Sequence, residues 1–174
     1  MTTEITSEAL LSLADTLAQT KDASTTIHLR HAVSSAYYAL FHGLIAEATM
    51  REVGADPTRD HDRHVLSRWY GHGEMRTVSN WVIRSADSRP VPEGVDDLLD
   101  HPPSDLVRVA MSFVELQEAR HDADYDHRVE LDADDAKDAI KSAQAALVRL
   151  GGLAGERVYG NYLLLMGAAR RVGR

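Results

Sequence analysis

The first fifty residues contain two stretches in which apolar side chains recur every three or four positions, the spacing of a helix with one buried face. The first stretch predicts a helix from Ser7 to Gln19, with Thr6 or Ser7 as its N-cap. Its apolar stripe consists of Leu10, Leu13, Ala14 and Leu17. The second stretch predicts a longer helix from Ser24 to Val53, which Gly54 can end. Its stripe consists of Leu29, Val33, Ala36, Tyr37, Leu40, Leu44 and Ala48.

The middle of the chain has a less regular pattern. The polar stretch "GADPTRDHDRH", residues 54–64, predicts a loop. The stretches "HVLSRWYG" and "EMRTVSNWVIRS" predict two short helices, separated by a turn at residues 71–73. Trp69 and Trp81 lie among apolar neighbours at helical spacing, so we expect both indoles in the core. Residues 85–104 contain four of the five prolines, which predicts an exposed connection.

Helical periodicity returns in the last third of the chain. A helix is expected after Pro103, with Ser104 or Asp105 as its cap. Its inward positions are Leu106, Val109, Phe113 and Leu116. A further helix is expected from Asp132 to Leu150, ending at the Gly151-Gly152 pair. Its seam consists of Ala136, Ile140, Ala143, Leu147 and Leu150. A last amphipathic segment, "ERVYGNYLLLMGAARR", has an apolar side of Val158, Tyr162, Leu165 and Ala169.

These elements predict an all-α fold, since no alternating β-branched run of useful length interrupts them. We expect an up-and-down bundle of four main helices over residues 1–150, with an irregular excursion between the second and third. Residues 151–174 are expected to add a C-terminal amphipathic helix or tail, which packs on the bundle or serves a partner.

Composition limits the possible chemistry. A chain of 174 residues with 44% hydrophobic content can bury one substantial core. Cysteine is absent, which excludes disulfides, thiolate metal sites and cysteine nucleophiles. The sequence shows neither a basic leader before an apolar stretch nor a window long enough to span a bilayer, so we expect a cytoplasmic protein with no membrane partner.

Charge is distributed unevenly along the chain. The net charge of −8 argues against a general nucleic-acid coat, because non-specific affinity comes from Lys and Arg. Residues 91–140 carry four basic and fifteen acidic side chains, whereas residues 141–174 carry six basic and one acidic. A phosphate-binding groove would need arginines from the middle segment, from the C-terminal tail or from a second subunit.

The stretch "EARHDADYDHR", residues 118–128, contains the candidate chemistry. Extending the inward stripe of the third main helix by its own spacing leads to Arg120, a permanently charged group that needs a carboxylate partner or an anionic ligand. Charge and periodicity by themselves favour a structural ion pair with Asp122, Asp124 or Asp126, or with a glutamate elsewhere. His127 lies about two turns further on if the helix continues, roughly 10 Å from Arg120. Arginine together with histidine is the minimal set for metal-independent RNA cleavage.

Two stretches together resemble the HEPN (higher eukaryotes and prokaryotes nucleotide-binding) superfamily. The first is "LRHAVSSAYYALFH", residues 29–42, which is similar to the family pattern A-x-S-x-A-Y-Y-A-x-F. Its matching residues are Ala32, Ser34 or Ser35, Ala36, Tyr37, Tyr38, Ala39 and Phe41. The second is the stretch around Arg120, in which His121 and His127 follow at the family's spacing. Ala123, Asp124 and Tyr125 complete the R-x-x-A-D-Y pattern of many relatives.

The resemblance covers roughly residues 5–150 and implies a dimeric bundle of four to five helices. It implies an endoribonuclease that needs neither metal nor cofactor and that is either the toxin of a toxin–antitoxin pair, with a cognate antitoxin, or a related defence component. Arg120 and His127 would be catalytic, with His121, Asp124 and Tyr125 in support. A non-catalytic module that dimerises or binds a nucleotide or another partner is the alternative.

Several further polar residues are candidates. Ser35, Tyr38 and His42 share one face of the second helix, and His31 joins them one turn earlier. The resemblance places this face near a dimer cleft, while a solvated or interhelical polar stripe explains it equally well. His61 and His64, with Asp60 and Asp62 and either His42 or His72, offer a weaker alternative, a metal site.

Overall fold

The computed structural model describes residues 6–22 and 25–172. Within these ranges every regular element is helical. The seven α-helices there are α1 (Ser7–Gln19), α2 (Thr25–Val53), α3 (Asp60–Ser67), α4 (His72–Ala86), α5 (Ser104–Tyr125), α6 (Ala133–Leu153) and α7 (Arg157–Ala168). Two short 3-10 turns cover Pro57–Arg59 and Ala169–Arg171. The all-α prediction is confirmed.

The first two helices have the predicted bounds wherever the structure describes them. Thr6 caps α1, because its hydroxyl accepts a hydrogen bond from the Ala9 N–H at 3.1 Å. The predicted start of α2 at Ser24 lies outside the described residues. Gly54 ends α2 with a φ of 89°, a conformation that glycine adopts without strain. The predicted stripe of α2 is buried throughout. In α1, Leu13 was predicted to face inward and is 47% exposed.

The chain divides into two compact units, of which the first comprises Met1–Gly43 and Ser112–Val148. In this unit α2 and α5 run antiparallel, since Tyr37 packs on Phe113 while Ser34, one turn earlier, bonds to Asp124 at the far end of α5. The α6 helix joins through a hydrogen bond between the Ser142 and Ser112 hydroxyls at 3.1 Å. These contacts make the first unit a packed set of helical segments.

The second unit comprises Leu44–Met111 and Arg149–Arg174. Here α4 packs against α7, and the buried hydroxyls of Ser79 and Tyr162 lie 2.9 Å apart. The predicted apolar side of α7 is buried at all four positions. The domain boundary expected at residue 150 stays a prediction.

The proline-rich connection is non-helical as predicted but is not simply exposed. Val95 and Leu99 are buried. The Leu99 carbonyl accepts a hydrogen bond from the Ser85 hydroxyl, and the Leu98 carbonyl accepts one from the Asn161 side-chain amide, both at 2.8 Å. Buried apolar side chains and side-chain hydrogen-bond donors therefore fix a segment whose own backbone hydrogen bonds are limited to turns.

Three other sequence expectations were wrong. Residues 54–64 are not a loop throughout, because Asp56 accepts from the Thr58 N–H and starts a 3-10 turn that leads into α3 at Asp60. The α6 helix passes through the Gly151-Gly152 pair, and burial of Leu153 offsets the poor helix propensity of glycine. Trp69 is 69% exposed, whereas Trp81 is buried as expected.

Membrane insertion has no candidate segment in the described ranges, since none of their helices is both long and apolar enough to cross a bilayer.

Candidate active site

Arg120 lies one turn before the end of α5 and is held by two partners. Its Nε is 2.6 Å from Oδ2 of Asp124, and its Nη2 donates a hydrogen bond to the Tyr38 hydroxyl at 3.1 Å. The angle at Nε is unfavourable for a hydrogen bond, so the contact with Asp124 is an ion pair. Among the described residues, none forms a hydrogen bond or ion pair with Nη1. The guanidinium is thus oriented by two groups and retains one donor nitrogen.

Partial burial and a nearby carboxylate act in opposite directions on Arg120. Burial is the largest single effect and would lower the pKa of the guanidinium, but Asp124 and the neighbouring Tyr38, Tyr125 and Tyr37 together outweigh it and hold that pKa above its ordinary value. Arg120 therefore stays charged at neutral pH. It can act on a phosphate only as a hydrogen-bond donor and a fixed positive charge, never as a proton carrier.

Asp124 is positioned by α2 as well as by Arg120. The Ser34 hydroxyl donates to Oδ1 of Asp124 at 2.6 Å, so each carboxylate oxygen has its own partner. The sequence singled out Ser35, which is buried one position further round α2. Adjacent residues of a helix point about 100° apart, so Ser34 reaches Asp124 whereas Ser35 points in another direction.

Arg30 closes the carboxyl end of α5. Its Nη1 donates to the carbonyls of Ala123 at 2.8 Å and Asp126 at 3.1 Å, and more distantly to Asp122 at 3.3 Å. Its Nη2 donates to the carbonyl of Val129. The last carbonyls of a helix have no partner within the helix and lie at the negative end of its dipole. A guanidinium placed there donates hydrogen bonds to these carbonyls and brings a positive charge to the negative end of the helix dipole.

His127 lies in the turn that Arg30 holds, not on a continuation of α5. The helix ends at Tyr125, and residues 127–128 form a turn with His127 exposed. Arg128 pairs with Asp126 at 2.9 Å, and this hydrogen bonding keeps the Asp126 pKa below its usual range. The estimate of about two helical turns between Arg120 and His127 therefore no longer applies, since the chain bends between them.

His121 and Tyr125 lie beside the same helix end. Their rings are 5.1 Å apart, and the Tyr125 ring lies 5.6 Å from Cζ of Arg120. Tyr125 is 63% exposed. A shallow depression of about 430 Å³ opens here, lined by His121, Asp122, Tyr125, Asp126, His127 and Arg128. The structure thus brings together His121, Tyr125 and His127, with Arg120 against the inner side of the Tyr125 ring.

The remaining candidates on α2 divide into two groups. Tyr38 belongs to the site through its hydroxyl, and its ring lies 5.5 Å from Cζ of Arg120. His42 packs against the rings of Tyr38 and Phe41, and partial burial lowers its pKa. His31 is exposed. His42 therefore supports Tyr38 by packing.

The alternative metal site is not assembled. In the part of the chain that the structure describes, no three histidine or carboxylate side chains converge as metal ligands. Asp60 and Asp62 instead pair with Arg63 and Arg59, at 2.6 and 3.0 Å. His64 Nε2 lies 3.1 Å from the Arg68 guanidinium.

Sequence reasoning gave Arg30 no role, and it named Ser34 only as a match to the family pattern and not as a site residue. A signal for both was present, because Arg30, Ser34 and Tyr38 are spaced by four and form one stripe of α2. That stripe faces the carboxyl end of α5. The predicted polar face consisted of Ser35, Tyr38 and His42. It shares Tyr38 with the stripe that contacts α5 but has Ser35 in place of Ser34.

Replacing Arg30 by methionine tests the closing role of this arginine. We expect a loss of about 2–3 kcal/mol in the free energy of unfolding, since a charged donor to several carbonyls is removed. Hydrogen exchange should accelerate at the amides of residues 126–130. Arg108→Met, at an exposed position of α5, is the matched control. Unchanged exchange at residues 126–130 in Arg30→Met would contradict this role.

His42 should make stability depend on pH. Its pKa is depressed in the fold, so the unfolded chain binds a proton more readily than the folded chain once the pH falls to the ordinary histidine value near 6.5. Wild type should therefore lose stability relative to His42→Gln as pH falls through this range, and the difference should level off below the folded pKa. Urea unfolding at several pH values measures it, with the exposed His61→Gln as control. A difference that does not vary with pH would refute the assignment.

Comparison with known proteins assigns no family to this arrangement of residues. No protein-family model, no curated protein and no solved structure matches the chain.

Proposed function

We propose that the chain is a metal-independent endoribonuclease of the HEPN type that acts as a homodimer. The observation that carries this proposal is the state of Arg120, which is oriented by Asp124 and Tyr38 while Nη1 makes no hydrogen bond or ion pair with another described residue. His127 occupies the turn immediately beyond the same helix end. A fixed cation and an exposed imidazole thus lie at the same end of α5.

The proposed reaction is an internal transesterification of RNA. His127, in its neutral form, takes the proton of the ribose 2′-hydroxyl, whose oxygen then bonds to the adjacent phosphorus. The bond between phosphorus and the 5′-oxygen breaks, and that oxygen leaves with a proton from solvent or from the second histidine of the dimer. Arg120 stabilises the charge that develops on the phosphoryl oxygens. The products are a 2′,3′-cyclic phosphate and a 5′-hydroxyl.

The acidic surroundings are compatible with this chemistry because much of their charge is already engaged. Asp124 pairs with Arg120, and Asp126 pairs with Arg128. Arg30 adds a further positive charge next to the turn. In a homodimer, a second copy of each cation would meet the same RNA strand. The role that suits such an enzyme is a cytoplasmic toxin, held in check by a cognate antitoxin, or a related defence component.

A second candidate function is a non-catalytic module for dimerisation or for binding a nucleotide or another partner. The ion pair of Arg120 with Asp124 at 2.6 Å favours it, since a carboxylate this close neutralises the guanidinium. The two functions differ in one outcome, the cleavage of RNA without metal.

Purified protein incubated with single-stranded RNA in EDTA should release fragments that end in 2′,3′-cyclic phosphate. Arg120→Ala and His127→Ala should each lower the rate roughly 100-fold or more, since one removes charge stabilisation and the other the general base. Gel electrophoresis with end-labelled RNA measures both.

His101→Ala is the matched control, because His101 is exposed and lies in the other unit. Sedimentation should confirm the dimer under the same conditions. Intact RNA in the presence of wild-type dimer would refute the nuclease and favour the non-catalytic module.

A further inference from the structure

The outer face of α3, in the second unit, carries exposed side chains that the proposed catalysis does not use. They are His61, His64, Val65, Arg68 and Trp69, which we call the α3 stripe. His64 and Val65 lie three and four residues after His61, and Arg68 lies four and three residues after them, so these four lie on one side of the helix axis. Trp69 follows in the turn beyond α3, where its backbone N–H donates to the Leu66 carbonyl at 2.9 Å.

The opposite face of α3 is occupied by structural contacts. The Arg63 side chain is only 13% exposed and donates to the carbonyls of Gly54 and Asp56, at the end of α2. Its Nη2 also pairs with Asp60, and Arg59 pairs with Asp62. Arg59 and Arg63 are thus engaged in structural contacts. Asp60 and Asp62, the two carboxylates that flank the stripe, are already paired with them.

Arg68 differs from these two arginines. Its Nη2 lies 3.1 Å from His64 Nε2, a neutral partner when that nitrogen accepts. Across the described ranges, no carboxylate lies within ion-pairing distance of Arg68. The stripe therefore presents an arginine whose charge is not cancelled.

Trp69 gives the stripe its second property. It is 69% exposed, in contrast to Trp81, which is 7% exposed. A lone exposed apolar residue is common and indicates nothing by itself. An exposed indole next to an uncancelled guanidinium is different, because the aromatic face can stack on a base while the cation meets the adjoining phosphate.

We propose that the α3 stripe binds single-stranded RNA, with the Trp69 indole stacked on a base and Arg68 on a neighbouring phosphate. The choice of RNA as the polyanion rests on the proposed function. The small apolar area argues against a protein partner, since Val65 and Trp69 are the only apolar members of the stripe. The other three members are Arg68, whose charge is not cancelled, and the polar side chains of His61 and His64.

Binding of a labelled oligouridine of about 12 nucleotides, followed by fluorescence anisotropy, tests the proposal. The full chain carries Arg120→Ala so that the RNA stays intact, and the buffer contains EDTA. Trp69→Ala should weaken binding about tenfold or more, while Trp69→Phe retains most of the affinity. Arg68→Ala should weaken binding and flatten its salt dependence.

Arg84→Ala and Val148→Ala are the matched controls, an exposed arginine and an exposed apolar residue outside the stripe, and neither should change the affinity. Circular dichroism verifies that each variant is folded. Equal affinity of Trp69→Ala and its parent, or a parent that fails to bind the oligonucleotide, would overturn the proposal. So would a Trp69→Ala variant that changes only self-association in sedimentation, since the stripe would then bind a second copy.

The result also separates this proposal from the nuclease. RNA binding that depends on Trp69, in a chain whose wild type does not cleave, supports the α3 stripe and refutes the catalytic function. Cleavage by wild type, together with RNA binding that is unchanged in the Trp69→Ala and Arg68→Ala variants, supports the nuclease and refutes the α3 stripe as an RNA-binding surface.

Discussion

The unpaired carbonyls at the carboxyl end of each long helix are the constraint on which this structure depends. The Arg30 guanidinium satisfies those of α5, reaching across from α2 to carbonyls on both sides of the bend. The second unit uses the same device twice. Arg59 and Arg63 donate to carbonyls at the end of α2, and Arg51 donates to the Ala154 carbonyl just beyond α6. Arginine suits this role because it offers five donors and keeps its charge.

This constraint determines the geometry of the candidate site. Because Arg30 ends α5 at Tyr125, the chain turns, and His127 occupies the turn instead of a further helical position. Ser34 and Tyr38 continue the Arg30 stripe along α2 and position Asp124 and Arg120 in order. One stripe of one helix thus orders both the cation and the turn that carries the histidine.

Much of the fold could be predicted from the sequence, because burial follows periodicity. The α2 stripe and the apolar side of α7 are buried as the three- and four-residue spacing requires. Helix ends were harder to predict. Glycine is only a weak stop when a following apolar residue such as Leu153 can be buried. The first turn of α3 was missed, because its inward side is formed by Arg63 and the carbonyls to which it donates, which hydrophobic periodicity does not register.

The site residues were predictable in kind, but their partners were not. Arg120 had to be paired, and the sequence offered three aspartates at equal standing. In the structure Arg120 pairs with Asp124, four residues on in the same helix, and Asp126 pairs with Arg128. The choice between Ser34 and Ser35 likewise depends on the rotation of α2 about its axis, which a single sequence does not specify.

The central claim is that Asp124 orients Arg120 for a phosphate and does not merely neutralise it. The most direct measurement is the rate at which Asp124→Ala cleaves single-stranded RNA in EDTA, relative to wild type. If Asp124 orients the guanidinium, the rate falls roughly 10- to 100-fold, because the freed side chain loses its geometry. A rate that rises when the carboxylate is removed would show that Asp124 suppresses Arg120, and would contradict the account.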